Sequence, residues 1–184
     1  MAKAVIDIVY QNDFISGISA TTSAMHFLNF ALRKTEINKV IAITGARSGI
    51  CKATAELLVA QSAKVVLGAR RIDRLKTTVE TIEQNGGEAA FLEIDVTRRE
   101  DLAKLTTPAV ERFGKLDVMI NNAGISQLYK IEELDVEGWE QMINVNLKGT
   151  LHGIAAALPV FKEQGSGHII NVISSRPSTA TGYP

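Results

Sequence analysis

Residues 44–51 (TGARSGIC) form a glycine-containing turn between a short apolar run and a helical pattern. Glycines let the backbone turn tightly and come close to a ligand, and the free N–H groups at the start of a helix carry partial positive charge. Both properties stabilise phosphate, so the turn is a candidate pyrophosphate-binding site. The alternative is a purely structural strand-turn-helix connection. The candidate ligand-binding residues of this turn are Gly45, Arg47, Ser48, Gly49 and Ile50.

A second candidate, Arg70, follows the apolar run KVVLGA. A protein that selects NAD places an acidic residue here to hydrogen-bond the ribose 2′-hydroxyl, and this chain has none. A guanidinium instead binds a 2′-phosphate through paired, charge-assisted hydrogen bonds. We therefore predict NADP(H) rather than NAD(H) as the cofactor, with Arg70 as the principal contact and Arg47 as the second. Arg71 and Arg74 begin a helix whose other charges indicate a solvated face.

Small or polar residues also follow two further apolar runs, AAFLEI and LDVMI. The tetrad NNAG at 121–124 follows the second run. Its small residues let the backbone pass near a ribose, and its amides can hydrogen-bond to the ribose and to neighbouring strands. The tripeptide DVT at 95–97 follows the first run, and it is a good cap for the next helix. We expect Asn121 to be chiefly structural. The residues assigned to cofactor binding here are Asn122, Ala123 and Gly124.

All these candidates stand at the ends of short apolar runs that alternate with helical patterns from Lys39 onward. This alternation is typical of βαβ units, and it predicts an α/β fold with a doubly wound, Rossmann-like parallel sheet. In such sheets ligands bind outside the carboxyl ends of the strands, where the candidates lie. The predicted strands are 39–44, 64–69, 89–94, 116–120 and 168–173, and the predicted helices are 50–61, 71–85, 98–113 and 136–164.

Together these motifs resemble the short-chain dehydrogenase/reductase family over residues 39 to about 175. The family's TGxxxGxG and NNAG motifs are matched as described, and its GxIxNxxS segment is matched at 167–174. Asp95 and Val96 resemble the family's D-V pair, which implies that they contact the adenine ring of the cofactor, with the helix cap as an equal alternative. The resemblance implies that Ser174, or alternatively Ser175, stabilises charge on the oxygen of an alcohol or carbonyl substrate during hydride transfer. It also implies that the backbone at Asn146, freed by a helix distortion, holds a water of the proton relay.

The chain departs from the family pattern at two places. Cys51 stands where the family usually has a third glycine, and its side chain is expected to push the helix outward and weaken cofactor binding. The YxxxK motif of the family does not occur at its expected spacing, since Tyr183 lies too close to Ser174 and precedes Pro184. We therefore expect a C-terminally incomplete sheet and active site. The alternative function is a catalytically silent dinucleotide-binding or interaction module.

The composition is that of an ordinary globular protein, with 184 residues, 46% hydrophobic content and zero formal net charge. No long basic run is present to neutralise phosphates, so nucleic acid is excluded as a partner. Cys51 is the single cysteine, which rules out an intrachain disulfide and fits a reducing, cytoplasmic location. No metal site is predicted, and the expected ligand besides the cofactor is a small-molecule alcohol or carbonyl compound.

Residues 1–38 are assigned to an N-terminal extension that precedes the nucleotide-binding domain at 39–184. The stretch 14–32 has no charged residue, but its polar residues make it a poor membrane-spanning segment. The spacing of Met25, Leu28 and Leu32 predicts an amphipathic helix, with a membrane-surface anchor as the alternative. The resemblance implies a homo-oligomer for the family. For this chain we expect instead an exposed sheet edge at the fifth predicted strand, which favours aggregation.

Overall fold

The apolar runs pair into a six-stranded sheet in which every neighbouring pair is parallel. The computed structural model describes residues 3–11, 38–46, 50–126 and 131–174, without the side chains of 3–11, Ile50, Ile131 and Ser174. The helix predicted near residues 22–32 lies outside the described residues, as do the candidates Arg47, Ser48 and Gly49 and the alternatives Ser175 and Tyr183.

From Val40 onward the strands and helices alternate in the predicted order. The strands are β1 (Lys3–Gln11), β2 (Val40–Thr44), β3 (Lys64–Ala69), β4 (Ala89–Glu93), β5 (Val118–Asn121) and β6 (Ser166–Ser174). The helices are α1 (Ile50–Ala60), α2 (Ile72–Gln84), α3 (Arg99–Phe113), α4 (Val136–Met142) and α5 (Gly149–Gln164), with a 3₁₀ turn at Ile131–Glu133 and a π-helical turn at Ile143–Lys148. The order of strands in the sheet is β1-β6-β5-β2-β3-β4.

The central strand β2 is buried on both faces, which explains its unbroken apolar sequence. Ile41 and Ile43 belong to one buried cluster with residues of α1 and α2, whereas Val40 and Ala42 belong to a second cluster with residues of α3 and α5. Helices therefore cover both faces of the sheet. The predicted doubly wound α/β architecture is confirmed.

Strand β1 was not among the predicted elements. It pairs in parallel with β6 along its whole length, from Lys3 opposite Ser166 to Gln11 opposite Ser174. The prediction that the fifth predicted strand, β6, exposes an edge is therefore wrong, because the N-terminal strand covers that edge. A nine-residue run carries no sign of which strand it pairs with, and Asp7 obscures its apolar character.

The helix predicted at 136–164 is also not continuous. The π-helical turn at Ile143–Lys148 separates α4 from α5, and such turns widen the helix and leave backbone groups without their usual partners. Among the residues that the structure describes, no helix has the length and apolar character needed to span a membrane.

Candidate functional site

A pocket of about 210 Å³ opens where the carboxyl ends of β2, β3, β4 and β5 meet. Strands β3 and β4 lie on one side of β2, and strands β5 and β6 lie on the other. The pocket therefore lies at the point where the strand order reverses, which is where ligands bind in doubly wound sheets. Of the predicted site residues, it brings together Gly45, Arg70, Asp95, Val96, Asn122, Ala123 and Gly124. Its remaining lining residues, which were not predicted, are Ala69, Ile94, Ile125 and Val145.

Thr44, the last residue of β2, holds the NNAG tetrad against the glycine turn. Its hydroxyl accepts hydrogen bonds from the backbone N–H groups of Asn122, at 3.0 Å, and Ala123, at 3.1 Å. The side-chain amide of Asn122 donates to the Thr44 carbonyl at 3.3 Å. Thr44 is buried, so these bonds are shielded from water. This role of Thr44 was not predicted from the sequence. The signal that could have indicated it is a polar residue at the end of an otherwise apolar strand.

Gly45 brings the backbone of the turn into contact with the tetrad. Its φ of +73° is a left-handed conformation that side chains other than hydrogen disfavour. A Cβ at this position would lie 2.9 Å from Ala123 Cα and 3.1 Å from Ala123 N. The Gly45 N–H donates to the Gly68 carbonyl at 2.8 Å, which fixes the turn against β3. The wall of the pocket therefore requires glycine here.

The turn after β4 forms the opposite wall of the pocket. The Asp95 carboxylate accepts hydrogen bonds from the N–H and the hydroxyl of Thr97, at 2.9 and 2.8 Å, and so stabilises the turn itself. It does not cap the next helix, because the N-cap of α3 is Arg98 and no side chain caps that end. The Asp95 N–H donates to Asp101, and this bond, with the neighbouring Lys104 ammonium, holds the pKa of the Asp101 carboxyl below its usual value. Within the described part of the chain, the Val96 N–H has no hydrogen-bond partner.

Asn146 lies in the π-helical turn and is not part of the pocket lining. Its side chain makes two hydrogen bonds to the backbone of Ile125, accepting from the N–H and donating to the carbonyl, each at 2.9 Å. The Asn146 carbonyl accepts a hydrogen bond from the Thr150 hydroxyl at 2.8 Å. The side chain thus fixes the loop that follows the NNAG tetrad.

Asn121, predicted to be structural, and Ser174, predicted to be catalytic, lie on the adjacent strands β5 and β6. Asn121, which is buried, donates through its side-chain amide to the side-chain oxygen of Asn171 at 2.9 Å and so links β5 to β6. Ser174 is the final residue of β6, opposite Gln11 of β1. Its backbone therefore lies at the same edge of the sheet as the pocket.

Cys51 packs into the core between α1 and the sheet and is only 4% exposed. The structure accommodates the side chain in a cluster with small neighbours that include Ala46 and Ala55. Burial raises the pKa of the Cys51 thiol to about 12, because the thiolate would lose its hydration.

We therefore expect Cys51 to resist thiol reagents in the folded protein. The nucleophile is the thiolate, which does not form at neutral or mildly alkaline pH when the pKa is about 12. The measurement is the reaction with a chromogenic disulfide reagent at about pH 8, with and without denaturant, since an unperturbed cysteine has a pKa of about 8.5. Rapid modification of the folded protein would contradict the buried position.

Comparison with known proteins gives the same family throughout. The family model described as short chain dehydrogenase matches residues 39–181. An uncharacterized oxidoreductase of Listeria monocytogenes is 56% identical over 133 residues, which are 72% of this chain and 54% of that protein. The chain spans about half the length of the curated relatives it matches.

Two solved structures are similar to the fold described above. An alcohol dehydrogenase from the archaeon Thermococcus sibiricus, complexed with 5-hydroxy-NADP, is 35% identical with a TM-score of 0.66, over 72% of this chain and 57% of that one. A short chain dehydrogenase/reductase from Burkholderia phymatum, in complex with NAD, is 32% identical with a TM-score of 0.70, over 73% of this chain and 48% of that one. The two structures hold different dinucleotides.

Proposed function

The chain belongs to the short-chain dehydrogenase family, and from this premise we propose that its pocket binds NADP(H) for hydride transfer to or from an alcohol or carbonyl substrate. The observation that carries the cofactor assignment is the position of Arg70, which lines the pocket immediately after β3. When bound, the cofactor supplies or accepts the hydride through its nicotinamide ring.

The pocket has a surface suited to an extended dinucleotide. Gly45 leaves room for a close approach to the backbone, and the turn leads into the amino terminus of α1, where partial positive charge favours pyrophosphate. The Val96 N–H, which has no partner among the described residues, offers a donor for a purine nitrogen at the far wall. We assign Arg47, Ser48, Gly49 and Ile50 to the pyrophosphate side and the residues Asn122, Ala123 and Gly124 to a ribose.

For the chemical step we propose Ser174 and Asn146. A hydroxyl at the end of β6 would stabilise charge that develops on the substrate oxygen. Asn146 would act through the backbone of its π-helical turn. The tyrosine and lysine that the family uses have no counterpart at the expected spacing in residues 1–184, and the proposal is therefore tested through cofactor binding.

Replacing Arg70 with alanine is expected to weaken NADPH binding about 10- to 100-fold, since a hydrogen bond to a charged group contributes roughly 1.5–3 kcal/mol. NADH binding should change little, because NADH lacks the 2′-phosphate. The measurement is a fluorescence titration with both dinucleotides. Arg74→Ala is the matched control, because Arg74 is an exposed arginine of α2 that does not line the pocket.

Two results would contradict the proposal. One is equal affinity of the wild-type chain for NADH and NADPH, which would show that no group recognises the 2′-phosphate. The other is an equal loss of affinity in the Arg70 and Arg74 variants, which would indicate a general effect of positive charge rather than a contact.

A further inference from the structure

The turn after β4 is fixed from outside the pocket by a side chain of α5. The Nδ1 atom of His152 lies 2.9 Å from the Val96 carbonyl oxygen. Since a carbonyl only accepts hydrogen bonds, Nδ1 must carry the proton in this contact. The sequence indicated only a packing role for His152, because no polar or charged cluster accompanies it.

The Val96 N–H belongs to the peptide group between Asp95 and Val96. The bond from His152 fixes one of the two peptide groups next to it. The peptide group between Val96 and Thr97 is held at its carbonyl by His152 and at its N–H by the Asp95 carboxylate. The peptide group before Asp95 is held at its N–H by Asp101, at 3.1 Å. Peptide groups are planar, so fixing both neighbours restricts the rotation of the group between them. That middle group carries the Val96 N–H, the donor in the pocket wall that has no partner among the described residues. Its own carbonyl, that of Asp95, also accepts a hydrogen bond from the Arg98 N–H at 2.9 Å, so the contact of His152 adds to this restraint.

Gly149 brings the first turn of α5 close enough for this contact. A Cβ on Gly149 would lie 2.9 Å from Val96 Cγ2 and 3.1 Å from Val96 Cβ, so any larger residue would move the helix and the turn apart. His152 is one turn further along the same helix, and it is partly buried. The helix therefore both packs against Val96 and donates to its carbonyl.

We propose that His152 is a positioning residue for the adenine half of the dinucleotide site. It fixes the Val96 carbonyl and thereby the direction in which the Val96 N–H points. The inference rests on the proposed function, because it presumes that an adenine-containing ligand occupies the pocket. His152 itself touches no ligand and acts only by fixing the turn after β4.

The test compares His152→Leu with His152→Asn in the full 184-residue chain. The side-chain nitrogen of asparagine can take the position of Nδ1 and donate to the same carbonyl, whereas leucine has no donor. The probes are adenosine 2′,5′-bisphosphate, which is the adenine half of the cofactor, and reduced nicotinamide mononucleotide, which is the other half. We expect the leucine variant to bind the adenine probe about tenfold more weakly, the loss of one hydrogen bond, and the asparagine variant to recover most of this loss.

Binding of the nicotinamide probe should be the same in all three proteins, a pattern that a general loss of stability would not produce. The inference would be overturned if the leucine variant bound the adenine probe as tightly as the wild-type chain does. It would also be overturned if the leucine variant lost affinity equally for both probes, or if the asparagine variant recovered none of the lost affinity. If the leucine variant does not fold, His152→Gln replaces it, because its amide extends beyond the Nδ1 position. A wild-type chain that binds neither probe would refute the proposed function itself, and the role of His152 with it.

Discussion

Replacing Gly45 with alanine is expected to abolish dinucleotide binding and to lower the free energy of unfolding by about 2–5 kcal/mol. The φ of +73° costs a side-chain-bearing residue roughly 1–2 kcal/mol. The new Cβ would also lie 2.9 Å from the Cα of Ala123, and backbone atoms cannot rotate away as a flexible side chain can. Overpacking of this kind costs about 1–3 kcal/mol and would displace the tetrad that forms the pocket wall.

Gly86→Ala is the matched control for this substitution. Gly86 has a φ of +79°, but a Cβ there would have nothing within 4 Å. Its cost should therefore be limited to the backbone conformation, about 1–2 kcal/mol, with no effect on binding. Urea unfolding and NADPH titration of both variants would measure the two effects. Similar behaviour of the two variants would show that the contact between the glycine turn and Ala123 has no importance of its own.

Thr44→Val is the second substitution with a large expected effect. Valine has nearly the same shape as threonine but no hydroxyl, so the N–H groups of Asn122 and Ala123 would lose their acceptor. An unsatisfied buried donor costs about 1–3 kcal/mol, and two of them predict a loss of about 2–6 kcal/mol in the free energy of unfolding. The tetrad would also lose its attachment to β2, so we expect NADPH affinity to fall at least about tenfold.

The control for this prediction is Thr44→Ser, which keeps the hydroxyl and removes one methyl group. It should lose only about 1 kcal/mol, the contribution of a buried methyl, and should bind NADPH nearly as well as the wild-type chain. The measurements are chemical denaturation and cofactor titration. If the valine and serine variants are equally stable, the hydrogen bonds to the tetrad contribute nothing measurable.

Much of the sheet was predictable because its strands are short apolar runs that are buried on both faces. Such a run has few other stable environments, and the glycines and polar residues that follow each run mark the carboxyl edge. The grouping of Gly45, Arg70 and Val96 around one pocket followed from that rule alone. The cofactor and catalytic roles of these residues remain predictions.

Other features could not be predicted, for identifiable physical reasons. The hydrophobic pattern at 136–164 did not show the π-helical turn, because its wider i→i+5 hydrogen bonding is confined to a single short stretch. Only the resemblance to the family implied a helix distortion at Asn146, which lies in this turn. The bond from His152 ends on a backbone carbonyl, which every residue possesses, so no residue type marks the partner. For Asp95 the sequence favoured equally a contact with the cofactor and a cap for the next helix. In the structure its carboxylate binds Thr97 within the turn, and no side chain caps the start of α3.

The pairing of β1 with β6 has a consequence for the order in which the protein folds. Strands β2, β3 and β4 are joined by single crossover helices, so their contacts close short loops and can form early. The partners Lys3 and Ser166 stand near opposite ends of the described chain, and their contact closes the longest loop in the sheet. Of the described strands, β1 is synthesised first, yet it cannot pair until β6 has been synthesised. Among the described strands, we therefore expect this edge of the sheet to assemble last.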